Sequence, residues 1–356
     1  MKTINRYLGR HIIGGLLLAA AVLLPLFGFL DLLDQLDDVG QGSYQVRDAF
    51  MYVLMLMPRR FIELAPFIAM LGNVAALGRL AVHQELISLR AAGLSPARIS
   101  LVSLRVGLWL LLVIAMLDQF VAPGLQQDAT LRRNAALDQS MELGQGLGIW
   151  SRDKQDILRI GRMEHAGRAV DVEIMQFGAD GFLHTYLYAD SADVRDHREW
   201  TLYHVTSKTI TGTGISSRSS DTLQWKPFLD SDQIATLNKP PDSLSPVELF
   251  NHVRFLRATG QREQADAYDL ALWRKVGGGV TTLAMMLLSV PFVFGSVRGG
   301  LGGRLVVAGL AGIGVYLLEQ ISANAGLLLD LNPALVAMLP GTALLCLAAL
   351  WLRRMR

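Results

Sequence analysis

Six stretches of the chain are apolar for close to 20 residues, the length that crosses the hydrocarbon core of a bilayer as a helix. They run from about His11 to Leu30, Phe50 to Leu80, Ile99 to Val121, Trp273 to Phe294, Arg304 to Ile321 and Pro333 to Leu352. The second is interrupted by Pro58, Arg59 and Arg60, and the fifth is short and rich in glycine. Between the third and fourth the pattern changes. "AVDVEIMQF" alternates, with Val170, Val172 and Ile174 on one face and Asp171 and Glu173 on the other; "GADG" then turns the chain into "FLHTYLYA". That is the signature of a hairpin. "REWTLYHVTSKTI" and "TLQWKPFL" continue in the same manner. The expected fold is an α-helical membrane protein with three spans, an inserted antiparallel β domain of about six to ten short strands, and three more spans. A sandwich or jelly roll fits better than a closed barrel. The domain limits are expected near 1–123, 124–267 and 268–356.

Two helices have clear punctuation. Ser245, Pro246 and Glu248 supply an N-cap, a first-turn proline and the third-position acid of a capping box, with Gly260 as the stop; Leu249, Val253 and Leu256 share a face. The other is the polar insert "HQELISLRAAGLSP" (83–96) between spans two and three. Gly93 fits the stop of a short helix, and Ser95-Pro96 the cap and first position of the next. Leu86 and Leu89 share a face, with Arg90 polar and Glu85 expected to be exposed. A solvated connector needs no such punctuation. A helix that docks into a groove on a soluble partner does.

The first apolar run follows the basic "KTINRYLGR", as in a signal peptide, but it is longer than the usual h-region and no small-x-small cleavage site follows. It reads as a span. Lys and Arg mark the cytoplasmic side of short loops. Lys2, Arg6, Arg10, Arg79, Arg90, Arg98, Arg298, Arg304, Arg353, Arg354 and Arg356 fall on one side. The opposite side has Arg47 against Asp31, Asp34, Asp37, Asp38 and Asp48, and no Lys or Arg near Asp330. Both termini and the 83–96 insert are therefore expected in the cytoplasm, with the β domain outside.

Composition narrows the chemistry. Only 18% of the 356 residues are charged and the net charge is +2, which gives no reason to expect nucleic acid. The single cysteine, Cys346, excludes a disulfide framework, and the seven histidines lack metal-ligand spacing. No P-loop, G-x-S-x-G or H-x-x-E-H motif occurs. Glu63, Asp118 and Glu319 lie in or near spans, where ionisable groups are costly and suggest function, although each could pair with an arginine or sit at the interface. "GGGVTT" (277–282) reads as close helix packing. In the fifth span Gly309, Gly312 and Gly314 permit close approach of another helix, either for internal packing or for a helix that opens against a partner.

The strings "DQLDDVGQGSY" (34–44), "QELISLRAAG" (84–93), "LSPVELFNHVRFLRATGQ" (244–261), "LALWRKV" (270–276), "MMLLSVPFVFGSVR" (285–298) and "VYLLEQI" (315–321), in this order and spacing, resemble the LptF/LptG family of lipopolysaccharide-export permeases, more the LptG branch. The resemblance implies a six-span inner-membrane subunit with a periplasmic β-jellyroll, paired with an LptF-type subunit. Further implied partners are an LptB-type ATPase dimer, an LptC-type bitopic protein and an LptA-type periplasmic bridge. Lipopolysaccharide is the implied substrate. ATP belongs to the ATPase, and this chain carries no cofactor. The family's coupling helix falls on 83–93, with Glu85 as its acid and Leu86, Leu89 and Arg90 beside it. A lateral gate would involve the fifth span, through Gly309, Gly312, Tyr316 and Glu319.

One departure is evident: Asp37 and Asp38 stand where some LptG members have lysines that could meet lipid phosphates. Other cations are candidates for that role. Arg59 and Arg60 lie about nine residues, or roughly 13 Å, into span two; Arg132 and Arg133 lie just beyond span three. Salt bridges to Glu63 or Asp128 are the competing reading. Val170, Val172 and Ile174 could line an acyl-chain groove or close a packed core. A permease for another envelope lipid or a lipoprotein, or a non-transporting scaffold, remains the alternative.

Overall fold

A computed structural model describes residues 2–137, 149–153, 156–164, 168–178, 180–194, 199–211, 214–226, 240–258, 261–294, 300–329 and 331–354. The chain divides into two compact units, residues 1–130 with 269–356, and residues 131–268. The first boundary falls later than Pro123, because nothing stops the third span there.

The first unit is helical. Among the described residues six helices are long and apolar enough to cross a membrane. They are α1 (Lys2–Leu36), α2 (Val46–Val82), the continuous helix from α4 (Pro96–Met116) through a π-turn (Leu117–Val121) into α5 (Ala122–Ala136), α7 (Arg262–Phe294), α8 (Leu301–Leu328) and α9 (Pro333–Arg354). The short α3 (Glu85–Ala91) follows α2. Several helices outrun their apolar stretches. α1 continues past Leu30 to Leu36, since no glycine or proline interrupts "DLLDQL", and Asp31 and Asp34 are helical. α2 starts at Val46, where the Gln45 N–H donates to the Asp48 carboxylate at 3.0 Å.

Small residues set the closest helix crossing. A Cβ on Gly15 of α1 would lie 2.3 Å from the Gly72 carbonyl oxygen of α2, and one on Gly72 would lie 2.7 Å from the Leu16 Cα. The backbones touch, which only glycine permits. Around this crossing Leu8, Ile12, Leu16, Ile68, Val74, Leu77, Ile99, Val102 and Met286 form one buried core. The "GGGVTT" run packs as expected: Gly277 faces the Ala337 carbonyl of α9, where a Cβ would come within 2.4 Å.

The second unit contains a six-stranded antiparallel sheet in the order β1-β2-β3-β4-β5-β6. The strands are β1 (Ile149–Asp153), β2 (Asp156–Glu164), β3 (Arg168–Phe177), β4 (Leu183–Asp193), β5 (Trp200–Thr211) and β6 (Gly214–Trp225). The expected number of strands and the hairpin at "GADG" are both present. At that turn Gly181 has φ +78°, and Asp180 accepts from the Phe182 N–H at 3.1 Å and contacts His184 at 3.2 Å. The Phe182 amide, then His184, hold the Asp180 carboxyl below its ordinary value.

The alternation of β3 is not uniform. Val172 and Ile174 are buried, but Val170 is only half-buried and Ala169 takes the inward place. The cause is Asp171, whose φ of +56° turns the strand over. Register is kept across it, from Val172↔Ala189 to Val170↔Ser191. His204 in β5, φ +52°, lies in the same row, between Ala189↔Val205 and Ser191↔Tyr203. In β2 the row begins at Gly161, where a Cβ would come 2.8 Å from the Asp171 Cβ. The inward phase also slips in β4, with Ala189, Ser191 and Ala192 all buried, and in β5, with Leu202 and Val205 buried. The sheet therefore bends along Gly161, Asp171, Asp190 and His204, and residues on either side of the bend keep an apolar inner face.

That inner face, from Leu158 and Ile160 to Trp200 and Leu202, packs against Trp225 and Phe255. Phe255 belongs to α6 (Pro246–Ala258). The capping box of α6 is complete: Ser245 N–H donates to Glu248 at 2.8 Å and the Glu248 N–H to Ser245 Oγ at 3.3 Å. Leu249, Val253 and Leu256 are buried as expected, together with His252. Gly260, the expected stop, and Asp330 lie outside the described residues.

Candidate functional site

The short helix α3 is closed as its sequence requires. Leu94 N–H donates to the Leu89 carbonyl and Gly93 N–H to the Arg90 carbonyl, with Gly93 at φ +90°. This pair of bonds is a Schellman stop. Ser95 Oγ then accepts from the Arg98 N–H at 3.4 Å and starts α4. Gln84 enters α3 in the left-handed region, φ +61°.

The side chains of α3 are distributed differently from the expectation. Leu86 is 3% exposed and Leu89 packs on the same core, so both anchor the helix to the spans and neither is an outward contact. Glu85 is partly exposed and accepts from the Tyr7 hydroxyl of α1 at 2.6 Å, in a bond open to solvent. Arg90 stands over the Phe294 ring of α7 at 5.3 Å, a cation–π contact. The outward face is Gln84, Ile87, Ser88 and Ala91, spaced at helical intervals, with Ile87 63% exposed. An isolated seven-residue helix is marginal in water. Here it is held on three sides, with one apolar side chain presented outward.

At the other end of α2, charges are clustered. Arg60 forms a fork with Asp31 of α1 (2.6 and 2.5 Å) and reaches Glu63 at 2.8 Å, while Arg59 donates to Glu63 at 2.8 Å. Bidentate guanidinium–carboxylate geometry is the strong form of such pairs. Both arginines are thus engaged by carboxylates of this chain. Arg132 and Arg133 follow on α5, the former exposed and the latter half-buried.

Along α8, Gly312 faces the Phe67 ring of α2, whereas no atom lies within 4 Å of a Cβ built on Gly309 or Gly314. Tyr316 meets Phe67 at 6.3 Å between ring centres. A polar ladder joins α7 to α8: Thr281 donates to Glu319 at 2.5 Å, Arg274 reaches Gln320 at 3.4 Å, and Gln320 donates to the Tyr316 hydroxyl at 3.0 Å. The outer face of α8, with Val306, Leu310, Ile313, Leu317 and Ile321, is exposed.

Residues 6–354 match the family described as lipopolysaccharide export system permease LptF/LptG. The chain belongs to that family. It is similar to the export permease protein LptG of Escherichia coli (strain K12), with 30% identity over 352 residues, 98% of this chain and 97% of that protein. LptG of Haemophilus influenzae is 27% identical over 353 residues, 99% of this chain and 98% of the relative. Both relatives are lipopolysaccharide export system permease proteins by name.

Within this LptF/LptG permease Glu63, Asp118 and Glu319, the acids singled out from the sequence, all have partners. Glu63 is paired with Arg59 and Arg60, Glu319 with Thr281, and Asp118 with Lys275 at 2.5 Å. The last pair is almost fully buried, with 7% and 12% of the side chains exposed. Sequence reasoning missed Lys275, Tyr7 and Asn73. Asn73, wholly buried in α2, donates to Ser289 Oγ at 2.6 Å and to the Met286 carbonyl of α7 at 3.1 Å, and accepts from Ser103 of α4 at 3.5 Å. A polar residue in the middle of "AMLGNVAALG" was the available signal.

Proposed function

We propose that this chain is an LptG-type permease subunit that extracts lipopolysaccharide from the bacterial inner membrane and passes it towards a periplasmic bridge. An LptF-type subunit completes the pair, and an LptC-type protein and an LptA-type bridge receive the substrate. The chain itself hydrolyses nothing and needs no cofactor. ATP is used by an LptB-type ATPase dimer on the cytoplasmic side, where the cluster of Lys and Arg puts both termini and α3. The observation that carries the coupling is α3, anchored by Leu86, the Tyr7–Glu85 bond and the Arg90–Phe294 contact, with Ile87 free to enter a groove on the ATPase.

Arg59 and Arg60 reach substrate phosphates in this reading only by exchanging Glu63 or Asp31 for them, and Arg132 and Arg133 are the cations on the β-domain side. The gate role of α8 is supported by its uncovered face.

The test uses the complete complex in proteoliposomes. Ile87→Glu, on the outward face, should lose the ATPase on purification while the spans stay folded. Glu85→Lys, on the inward face, should keep some ATPase but lose ATP-dependent lipopolysaccharide release. Normal release from both variants would reject α3 as the coupling element, and bound lipid other than lipopolysaccharide in mass spectra would reject the substrate.

A further inference from the structure

Arg105 lies inside the third span, nine residues after Pro96 and thus about 13 Å along α4. Ionisable side chains at such depth are costly in lipid and as a rule face the protein interior and a partner. Arg105 does neither. It is exposed, and among the described residues it has no hydrogen bond, ion pair or ring contact. The opposite face of α4 does the packing. Ser103 meets Asn73 of α2, a Cβ on Gly107 would lie 3.1 Å from Leu283 of α7, and Ile99, Val102 and Val106 are buried. Arg98, Leu101, Arg105, Leu108, Trp109 and Leu112 form the outward stripe, all exposed and three, four or seven residues apart. The chain has no carboxylate to offer Arg105. Residues 2–30, 64–117, 277–318 and 331–354 include the α3-side half of every span and hold one acid, Glu85, which already accepts from Tyr7. An anion for Arg105 therefore comes from outside the chain.

We infer that the outward face of α4 binds an anionic phospholipid, with the Arg105 guanidinium on its phosphate. Side chains of a helix lean back towards its N-terminus, so the stem of Arg105 is directed towards Arg98 and the nearer headgroups, as in a snorkelling arginine. The order of groups along the helix matches the order along the lipid. Arg98 stands at the headgroup end, and Arg105 follows at the phosphate. Trp109, 70% exposed, brings an indole N–H donor to the level of the glycerol ester. Leu108, Leu112 and Met116 then give the acyl chain an apolar track. A carboxylate from a neighbouring span would satisfy the guanidinium alone, whereas a phospholipid also engages Trp109 and the track. Arg98 places a second positive charge over the same headgroup, which favours an anionic lipid over a zwitterionic one. The leaflet is the one on the α3 side; that it is the cytoplasmic leaflet, where anionic lipids give a negative surface, rests on the orientation proposed above.

Native mass spectrometry of the full chain in a maltoside detergent, alone and with its partner subunits, tests this. Phosphatidylglycerol or phosphatidylcholine with the same acyl chains is added. Wild type should retain phosphatidylglycerol in preference to phosphatidylcholine. Arg105→Leu suits an exposed apolar stripe and leaves the helix intact. It should lower phosphatidylglycerol retention about tenfold, the loss of one charge-assisted contact. Phosphatidylglycerol with a photoreactive acyl chain should label residues 106–116 in wild type and not in Arg105→Leu. Detergent has no leaflets, and neither ATP hydrolysis nor export is read, so the result is independent of the function proposed above. Equal retention in wild type and Arg105→Leu, equal retention of the two lipids by wild type, or labelling that ignores the substitution overturns the site. So does an assembly that leaves residues 106–116 unlabelled and loses a subunit in Arg105→Leu, since the anion is then a carboxylate of the partner.

Discussion

Lys275 and Asp118 meet because the π-turn Leu117–Val121 inserts an extra residue in the third span. Such insertions re-aim one side chain within an otherwise regular helix. Asp118 was visible in the sequence as an isolated acid. Its partner, 157 residues away, was not, because Lys275 follows Arg274 and reads as part of an interfacial basic pair. Removing one member of a buried ion pair leaves an uncompensated charge, which costs about 3–5 kcal/mol, whereas removing both can be neutral. Lys275→Met should therefore destabilise the helical unit by about that amount in denaturant titrations, and Lys275→Met with Asp118→Leu should recover most of the loss. His252 offers a second test at this scale. It is 4% exposed, its ring meets that of Tyr268 at 4.4 Å with a tilt of 59°, and its Nε2 has no hydrogen-bond partner among the described residues. Burial lowers its pKa. The unfolded chain then binds the proton first as pH drops below about 6.5. Stability is full above that value and is lost as pH falls from it to the lower folded pKa, at up to about 1.4 kcal/mol per pH unit. Melting curves followed by Trp200 and Trp225 fluorescence should show this loss, and His252→Phe should flatten it.

At the scale of elements, punctuation was legible and bending was not. The stops and caps of α3, α4 and α6 were written in Gly93, Ser95-Pro96 and Ser245-Pro246-Glu248, because each works through bonds to residues at most five positions away. That Leu86 and Leu89 face the spans, with Glu85 and Arg90 tied to Tyr7 and Phe294, was not legible, because those partners are distant in sequence. The bend of the sheet was hidden for a related reason. Asp171 and His204 look like ordinary outward polar positions, and only their alignment in one row reveals a shared corner. A left-handed backbone costs a β-branched residue about 1–2 kcal/mol and glycine almost nothing. His204→Val should thus lower the stability of the β domain by that amount in urea titrations, although valine favours strands, and His204→Gly should not. The opposite order would mean that the corner is imposed by side-chain contacts.

For the whole molecule, the plan of three spans, a β domain and three spans followed from the apolar runs alone, since each is long enough to be unmistakable. Which spans are enclosed did not follow, because hydropathy treats lipid and protein neighbours alike. The apolar centres of α2 and α7 are each 61% buried inside the chain, that of α8 only 11%. The meeting of Gly15 and Gly72 adds a mechanical consequence. Two helices whose main chains are in contact have no compressible side-chain layer between them, so neither can shear past the other without first separating. The first two spans consequently behave as one stiff lever. Compliance is left to α8, whose apolar centre is the least buried of the six.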